Sequence, residues 1–93
     1  MNNKSEEIPI EVKPLEGYLL YIKFKNGEEK IYDMNEMLHF EYYKDLNNKE
    51  NFKNVKVSGI TLLWATGQDI APEKIYFNSI PLEQYKGEIV QMK

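Results

Sequence analysis

The sequence predicts a small α+β domain, with an antiparallel sheet built from two β-hairpins and an N-terminal strand, and short helices between and after the hairpins. Three observations predict this fold class. Alternating apolar residues flank Asn26-Gly27, and a second pair of apolar stretches flanks Ser58-Gly59. Pro72 follows in an acidic segment that suits the first turn of a helix. With 42% hydrophobic residues, the chain can fill one core.

The first predicted strand covers residues 8–14, where apolar and polar residues alternate. Proline cannot donate a hydrogen bond to a neighbouring strand, so Pro9 and Pro14 either place this strand at an edge of the sheet or end it at Pro14. The preceding residues, 1–7, are polar and are predicted to be a disordered tail. The single α+β domain is expected to span residues 8–77.

The first hairpin is predicted to join strands over residues 18–25 and 28–33. Asn26-Gly27 supplies the two positive-φ positions of a type I′ turn, the tightest connection between antiparallel strands. The length of this turn determines which residues face each other across the hairpin.

In the predicted register, Ile22 faces Ile31 and Tyr21 faces Tyr32. We take the face with Ile22 and Ile31 as the core face, together with Tyr18, Leu20 and Phe24. The opposite face carries Leu19, Tyr21, Tyr32, Lys23, Lys25 and Lys30. It is more aromatic than a solvated sheet needs, which makes it a candidate interaction surface.

Two short helices are predicted after the first hairpin. Asp33 and Glu36 fit a capping box, in which each side chain accepts from an amide at the helix start. Met34 and Leu38 lie on one face of that helix. A second short helix is predicted over residues 40–47, and the asparagines that follow are expected to end it.

The second hairpin is predicted to join strands over residues 52–58 and 60–65, with Ser58-Gly59 as its turn and Val57 opposite Ile60.

Beyond this hairpin, residues 66–68 are expected to leave the sheet, and a helical turn is expected to start at Pro72. Residues 78–93 are treated as a C-terminal extension, in which residues 88–92 could form a last strand.

The composition excludes several classes of function. Acidic residues outnumber basic ones by 15 to 12, giving a net charge of −3, which disfavours nucleic-acid binding because phosphate neutralisation needs a basic surface. The absence of cysteine excludes disulfides, thiol nucleophiles and zinc–thiolate sites. No signal peptide or membrane-spanning stretch is recognised, so we expect a cytoplasmic protein without a membrane role.

Asp69 and Glu73 are four residues apart, which could place two carboxylates on one side of a helical turn. An acid–base pair would need displaced pKa values, and a metal site usually needs three or more ligands. The structural interpretation is that Asp69 fixes loop amides and Glu73 lies near the positive helix start. The single histidine, His39, has no nucleophile to activate. The sequence therefore predicts no enzyme, catalytic residue, metal site or cofactor.

Trp64 stands at the end of a predicted strand and could be a platform on which a ligand stacks. The alternative is that it packs inward, which a lone tryptophan in an alternating strand usually does. We favour the core position, and keep a small-ligand site beside Trp64, Asp69 and Glu73 as an alternative.

Several motifs occur in a fixed order and carry a resemblance to a known family. They are Pro14-Leu15, Tyr18-x-Leu20, Phe24-x-Asn26-Gly27-Glu28, Tyr32-Asp33, Phe52-x-x-Val55 and Trp64-x-x-Gly67-x-Asp69-Ile70-Ala71-Pro72-Glu73-x-Ile75-Tyr76. In this order and spacing, the chain resembles the bacterial family called domain of unknown function 2442. The resemblance implies a small α+β fold with an antiparallel sheet, and it brings no established catalytic residues.

Some similar proteins are fused to a helix-turn-helix domain, and some are encoded beside a second small protein in pairs suspected to be toxin–antitoxin-like. This chain departs from the family pattern in two ways. Ala71 stands where serine is common, which removes a capping hydroxyl worth about 1 kcal/mol. Residues 78–93 leave no room for a helix-turn-helix, so a DNA role is not expected here.

These observations favour a non-enzymatic interaction module that binds a protein partner or a second copy of itself. Its expected surface includes Leu19, Tyr21 and Tyr32. The two alternatives are a small-ligand or regulatory domain with the site described above, and an antitoxin-like regulator paired with the product of a neighbouring gene.

Overall fold

The computed structural model describes residues 6–93, which form two antiparallel sheets with short helices between the strands. In chain order the strands are β1 (Pro9–Leu15), β2 (Leu19–Phe24), β3 (Glu29–Asp33), β4 (Val55–Ser58), β5 (Thr61–Trp64), β6 (Asp69–Ile70) and β7 (Ile80–Pro81). The α-helices are α1 (Lys49–Phe52) and α2 (Pro72–Asn78), and 3₁₀ helices cover Met37–His39, Glu41–Asn47 and Leu82–Gln84. The α+β class is confirmed.

The strands form two sheets, where the sequence predicted one. The first has four strands in the order β1-β2-β3-β7, and the second has three in the order β4-β5-β6. β1 is an outermost strand of the four-stranded sheet, which agrees with the edge position expected from its prolines. Of the predicted disordered tail, residues 1–5 lie outside the described residues. The carbonyl of Glu6 accepts a 2.9 Å hydrogen bond from the amide of Asn26.

The first hairpin turns through three residues instead of two, which corrects the predicted type I′ turn. The amide of Phe24 donates to the carbonyl of Glu28 (2.8 Å), and the amide of Gly27 donates to the carbonyl of Phe24 (2.9 Å). Gly27 has a φ of +93°, whereas Asn26 keeps a negative φ. Asn26 is held there because its side chain accepts a 2.9 Å hydrogen bond from the amide of Glu28. The turn is therefore type I, closed by a glycine bulge.

The longer loop shifts the pairing of β3 by one residue, and each of its side chains therefore changes face. Tyr21 pairs with Ile31 and Leu20 pairs with Tyr32, in place of the predicted pairs Ile22–Ile31 and Tyr21–Tyr32. Tyr32 consequently faces the main core, and Ile31 faces the outer side of the sheet.

The second hairpin also differs from the predicted register. Ser58 pairs with Thr61, so Gly59 and Ile60 form the turn, and the pairs are offset by two residues from the prediction. Gly59 has a φ of +60°, which suits the first central position of a type II′ turn. Because the offset is even, the side chains stay on their predicted faces.

Residues 66–68 lie outside the strands, as predicted, but the chain then turns back and pairs as β6, a strand that the sequence did not predict. The amide of Trp64 donates to the carbonyl of Gln68, and the amide of Gly67 donates to the carbonyl of Trp64, both at 2.9 Å. This turn repeats the hydrogen bonds of the first hairpin, with Trp64 in the position of Phe24.

The predicted capping box does not form. Asp33 accepts a 2.9 Å hydrogen bond from the amide of Asn35, and the 3₁₀ helix Met37–His39 starts after Glu36 without a side-chain cap. The second predicted helix is present as the 3₁₀ helix Glu41–Asn47.

One helix start was missed and another was predicted correctly. Asn48, expected among the residues that end a helix, instead caps α1, because its side chain accepts from the amides of Glu50 (2.8 Å) and Asn51 (3.2 Å). α2 begins at Pro72 as predicted, and Ala71 provides no side-chain cap.

The main core contains residues from both sheets and from the helices. They are Leu20, Ile22, Phe24, Tyr32, Met34, Leu38, Tyr43, Leu46, Phe52, Leu62, Trp64, Ile70, Ile75 and Met92. A second, smaller cluster lies on the outer face of the four-stranded sheet and consists of Leu15, Leu19 and Ile31, with Tyr21, Leu82 and Tyr85 packed against it.

Residues 82–93, here called the C-terminal arm, run from β7 at one edge of the four-stranded sheet to β1 at the other. Leu82 and Tyr85 cover the outer cluster on the way. In the segment where a last strand could form, the arm makes a single β-bridge between Leu15 and Gln91.

Candidate interaction surface

Because of the shift in register, the residues of the predicted aromatic surface lie on two different faces of the sheet. Tyr32 is only 4% exposed and lies in the main core, whereas Leu19 lies in the outer cluster beneath the C-terminal arm. Tyr21 is half-buried on the outer face, and its hydroxyl donates to the carboxylate of Glu29. Burial and this carboxylate raise the pKa of Tyr21 to about 12. Leu19 and Tyr21 thus share a face, and Tyr32 lies on the other.

Trp64 is 1% exposed, so its ring is not open to a ligand from solvent. Its indole Nε1–H donates a 2.9 Å hydrogen bond to the carbonyl of Phe52, which satisfies the buried donor. The structure therefore gives Trp64 a role in joining β5 to α1.

Asp69 is held by two neighbouring tyrosines. The hydroxyl of Tyr42 donates to Oδ1 of Asp69, and the hydroxyl of Tyr43 donates to the Asp69 carbonyl, both at 2.9 Å. Burial, followed by the neighbouring Tyr42, raises the pKa of Tyr43. These contacts fasten the 3₁₀ helix Glu41–Asn47 to β6, which is a structural use of Asp69.

Glu73 lies in the exposed first turn of α2, one helical turn before Phe77. Phe77 is 68% exposed, more than any other large apolar side chain among the described residues. Sequence reasoning did not identify Phe77 as a surface residue. The helical period could have done so, because Phe77 is about 200° around the helix from the buried Ile75.

Polar and aromatic contacts fix the position of α2 on the first hairpin. Lys30 is 8% exposed, and its ammonium group donates to the Tyr76 carbonyl (2.9 Å) while lying 3.9 Å from the centre of the Tyr76 ring. The Tyr76 hydroxyl donates to the carboxylate of Glu28, and this hydrogen bond raises the pKa of Tyr76. The ring of Tyr76 also meets Phe24 edge-on at 5.0 Å. Tyr76 therefore points inward and leaves Phe77 outside.

A cleft of about 400 Å³ lies beside the exposed side of α2. It is lined by Tyr32, Asp33, Glu36, Met37, Lys74 and Asn78. Two carboxylates and one ammonium group therefore border the same space, next to an aromatic ring and a thioether.

The described residues offer no assembled metal site: within residues 6–93, no three His, Asp or Glu side chains are grouped closely enough to hold an ion. His39 is exposed at the end of a 3₁₀ helix. Over the same residues, no helix is long and apolar enough to cross a membrane.

Comparison with known proteins identifies one family. The family described as "Protein of unknown function (DUF2442)" matches the chain over residues 9–81. No curated protein and no solved structure matches it. The C-terminal arm lies outside the matched residues, whereas Glu73, Phe77 and the cleft lie within them.

Proposed function

Since this chain belongs to the DUF2442 family, which is described only as of unknown function, we propose its function from the contacts of its own residues. The protein is a non-enzymatic interaction module that binds a protein partner or a second copy of itself. Its interface is centred on the exposed side of α2, and not on the Tyr21 and Tyr32 face from which the hypothesis began.

The exposure of Phe77 is the observation that carries this proposal. Interfaces are typically built from an aromatic anchor surrounded by a polar rim. Phe77 is 68% exposed, and Glu73 and Lys74, one turn earlier on the helix, supply charges of both signs beside it.

The support beneath Phe77 also favours a binding role. Tyr76 is held by Lys30, Glu28 and Phe24, so the helix backbone next to Phe77 is anchored to the first hairpin. An anchor that is already ordered loses less conformational entropy on binding than one on a mobile loop.

The test compares two exposed apolar residues in different parts of the fold. Phe77→Ser removes the proposed anchor, and Ile60→Ser removes a 56% exposed side chain from the β4–β5 turn. Each tagged protein is incubated with lysate from its own host, and bound proteins are identified by mass spectrometry, while light scattering reports self-association. We expect wild type and Ile60→Ser to capture the same protein or to self-associate, and Phe77→Ser to do neither. If all three proteins captured the same proteins and self-associated to the same extent, the proposal would be wrong.

A second candidate function is the binding of a small ligand, and the cleft beside α2 favours it. Its volume of about 400 Å³ falls within the range of ligand pockets, and its carboxylates would suit a ligand with an amino group. This moves the alternative site away from Trp64. A panel of amines should raise the melting temperature of wild type and not that of Glu36→Gln; an unchanged melting temperature for every compound would exclude this role.

Two further expectations remain part of the proposal. The partner in an antitoxin-like arrangement would be the product of a neighbouring gene, and the protein of such a pair would dominate the captured material. We also place the protein in the cytoplasm and assign it no direct nucleic-acid role, the latter because of its acidic charge balance.

A further inference from the structure

The end of the C-terminal arm is attached at the edge of β1. The amide of Glu16 donates to the carbonyl of Val90 (2.8 Å), and the amide of Met92 donates to the carbonyl of Pro14 (2.9 Å). Met92 is 8% exposed and fills a place in the main core. A segment can pair with the edge of β1 without passing through the fold. The same segment of a second molecule therefore fits the same place.

Residues 86–89 form a hinge that connects this attached end to Tyr85. These four residues and Val90 are exposed and belong to no helix or strand. Ile89 is 45% exposed and Val90 is 42% exposed. In a single chain this hinge leaves apolar surface in water, which a partner could cover.

We propose that residues 90–93 are exchanged between two copies of the chain, so that each copy places its Met92 in the core of the other. The hinge sequence identifies a second copy as the partner. If two hinges cross antiparallel at Gly87, Lys86 of each copy faces Glu88 of the other, and Tyr85 faces Ile89. This inference does not use Phe77, so it can fail or hold independently of the proposed function.

A substitution at Gly87 should change the balance between closure, in which the arm docks on its own chain, and exchange. A Cβ atom at position 87 would lie 2.5 Å from the hydroxyl oxygen and 2.7 Å from Cζ of Tyr85. These atoms form the far end of the Tyr85 side chain, which packs against the outer cluster, so alanine in the closed hinge would require the Tyr85 ring to move away from that cluster. An extended hinge that crosses to a second copy separates the two groups. Gly87→Ala should consequently favour exchange over closure.

The balance between closure and exchange depends on the protein concentration. A short flexible connection holds its own end at an effective concentration in the millimolar range, so closed chains dominate in dilute solution. Exchange should increase as the protein concentration approaches that range. When the closed hinge is disfavoured, the same increase should occur at a lower protein concentration.

The test uses two exposed positions in a chain that contains no cysteine. Glu16 and Val90 lie opposite each other where the arm meets β1, and residues so placed have Cα atoms about 5.5 Å apart, which a disulfide can span. Chains carrying Glu16→Cys alone are mixed with chains carrying Val90→Cys alone in a glutathione redox buffer, over a range of protein concentrations. A chain carrying both substitutions is the control, since its disulfide reports docking of the arm.

If arms exchange, the disulfide joining a Glu16→Cys chain to a Val90→Cys chain becomes more abundant than the disulfides between identical chains. Its share should rise with concentration, and rise further when both chains also carry Gly87→Ala. An intramolecular disulfide in the control, together with no excess of the mixed disulfide at any concentration, would show that the arm docks only in its own chain. A control that forms no disulfide would show that the arm does not dock at β1. Either result overturns the proposal.

Discussion

The indole Nε1–H of Trp64 donates a 2.9 Å hydrogen bond to the backbone carbonyl of Phe52, and the two rings pack with their centres 6.2 Å apart. Both side chains are buried in the main core. The bond fixes the end of α1 to β5, so the only tryptophan of the chain is used to hold the fold together.

Replacement of this tryptophan should therefore destabilise the fold. Trp64→Phe leaves the carbonyl of Phe52 without its partner and opens space in the core, at a combined cost of roughly 2–4 kcal/mol. Urea denaturation followed by circular dichroism measures this, because the variant has no tryptophan fluorescence. Ile60→Ser, on the surface, is the control and should change the free energy of unfolding by less than about 0.5 kcal/mol. A Trp64→Phe protein as stable as the control would contradict this role.

The two three-residue turns should depend on their glycines to a similar degree. Gly27 has a φ of +93° and Gly67 a φ of +101°, and neither has an atom within 4 Å of the position a Cβ would take. Gly27→Ala and Gly67→Ala should each cost about 1–2 kcal/mol, because the backbone conformation alone opposes a side chain. Asparagine tolerates positive φ better, so Gly27→Asn should cost less than Gly27→Ala in the same denaturation experiment. Equal stability of wild type and both alanine variants would contradict the turn assignment.

Signals that act over a few residues predicted the fold well. The α+β class, the edge position of β1 and the start of α2 at Pro72 agree with the structure. The last two follow from a property of proline itself, which lacks the amide hydrogen that a central strand needs and a first helical turn does not.

Register was less predictable because it depends on the length of a turn. Asn26-Gly27 is compatible with both a two-residue and a three-residue loop, and the bond from the Glu28 amide to the Asn26 side chain accompanies the longer one. A difference of one residue then moved Tyr32 from the outer face to the core. The predicted surface was wrong at Tyr32 for this reason.

Contacts distant in sequence could not be predicted at all. The C-terminal arm covers Leu19, and Tyr42 and Tyr43 bind Asp69. Both sets of contacts join segments that are far apart in the chain. No local pattern indicates them. Phe77 was within reach, since it follows from the period of α2 once Ile75 is placed inward.

The free energy of unfolding should fall in alkaline solution, in part through Tyr32. Burial, followed by the neighbouring Tyr43, Asp33 and Glu36, raises the pKa of Tyr32 from 10.0 to about 12. Between these values the unfolded chain releases a proton that the folded chain retains. The contribution of Tyr32 is therefore complete below pH 10 and is lost as pH rises toward 12, by at most about 3 kcal/mol.

Tyr32→Phe isolates this contribution, because the ring stays in the core while the titrating hydroxyl is removed. Denaturation at several pH values should show a smaller loss of stability above pH 10 in the variant than in wild type. If the two proteins lost stability in parallel, the raised pKa of Tyr32 would be contradicted.

The most direct test of the central claim is photo-crosslinking at position 77. A benzophenone amino acid replaces Phe77 in one protein and Ile60 in a matched control, since both side chains are exposed and apolar. After irradiation in the host's lysate, we expect the protein labelled at position 77 to form one dominant adduct, with a specific protein or with a second copy, and the control to form none. Absence of an adduct at position 77, or the same adducts at both positions, would contradict an interface centred on α2.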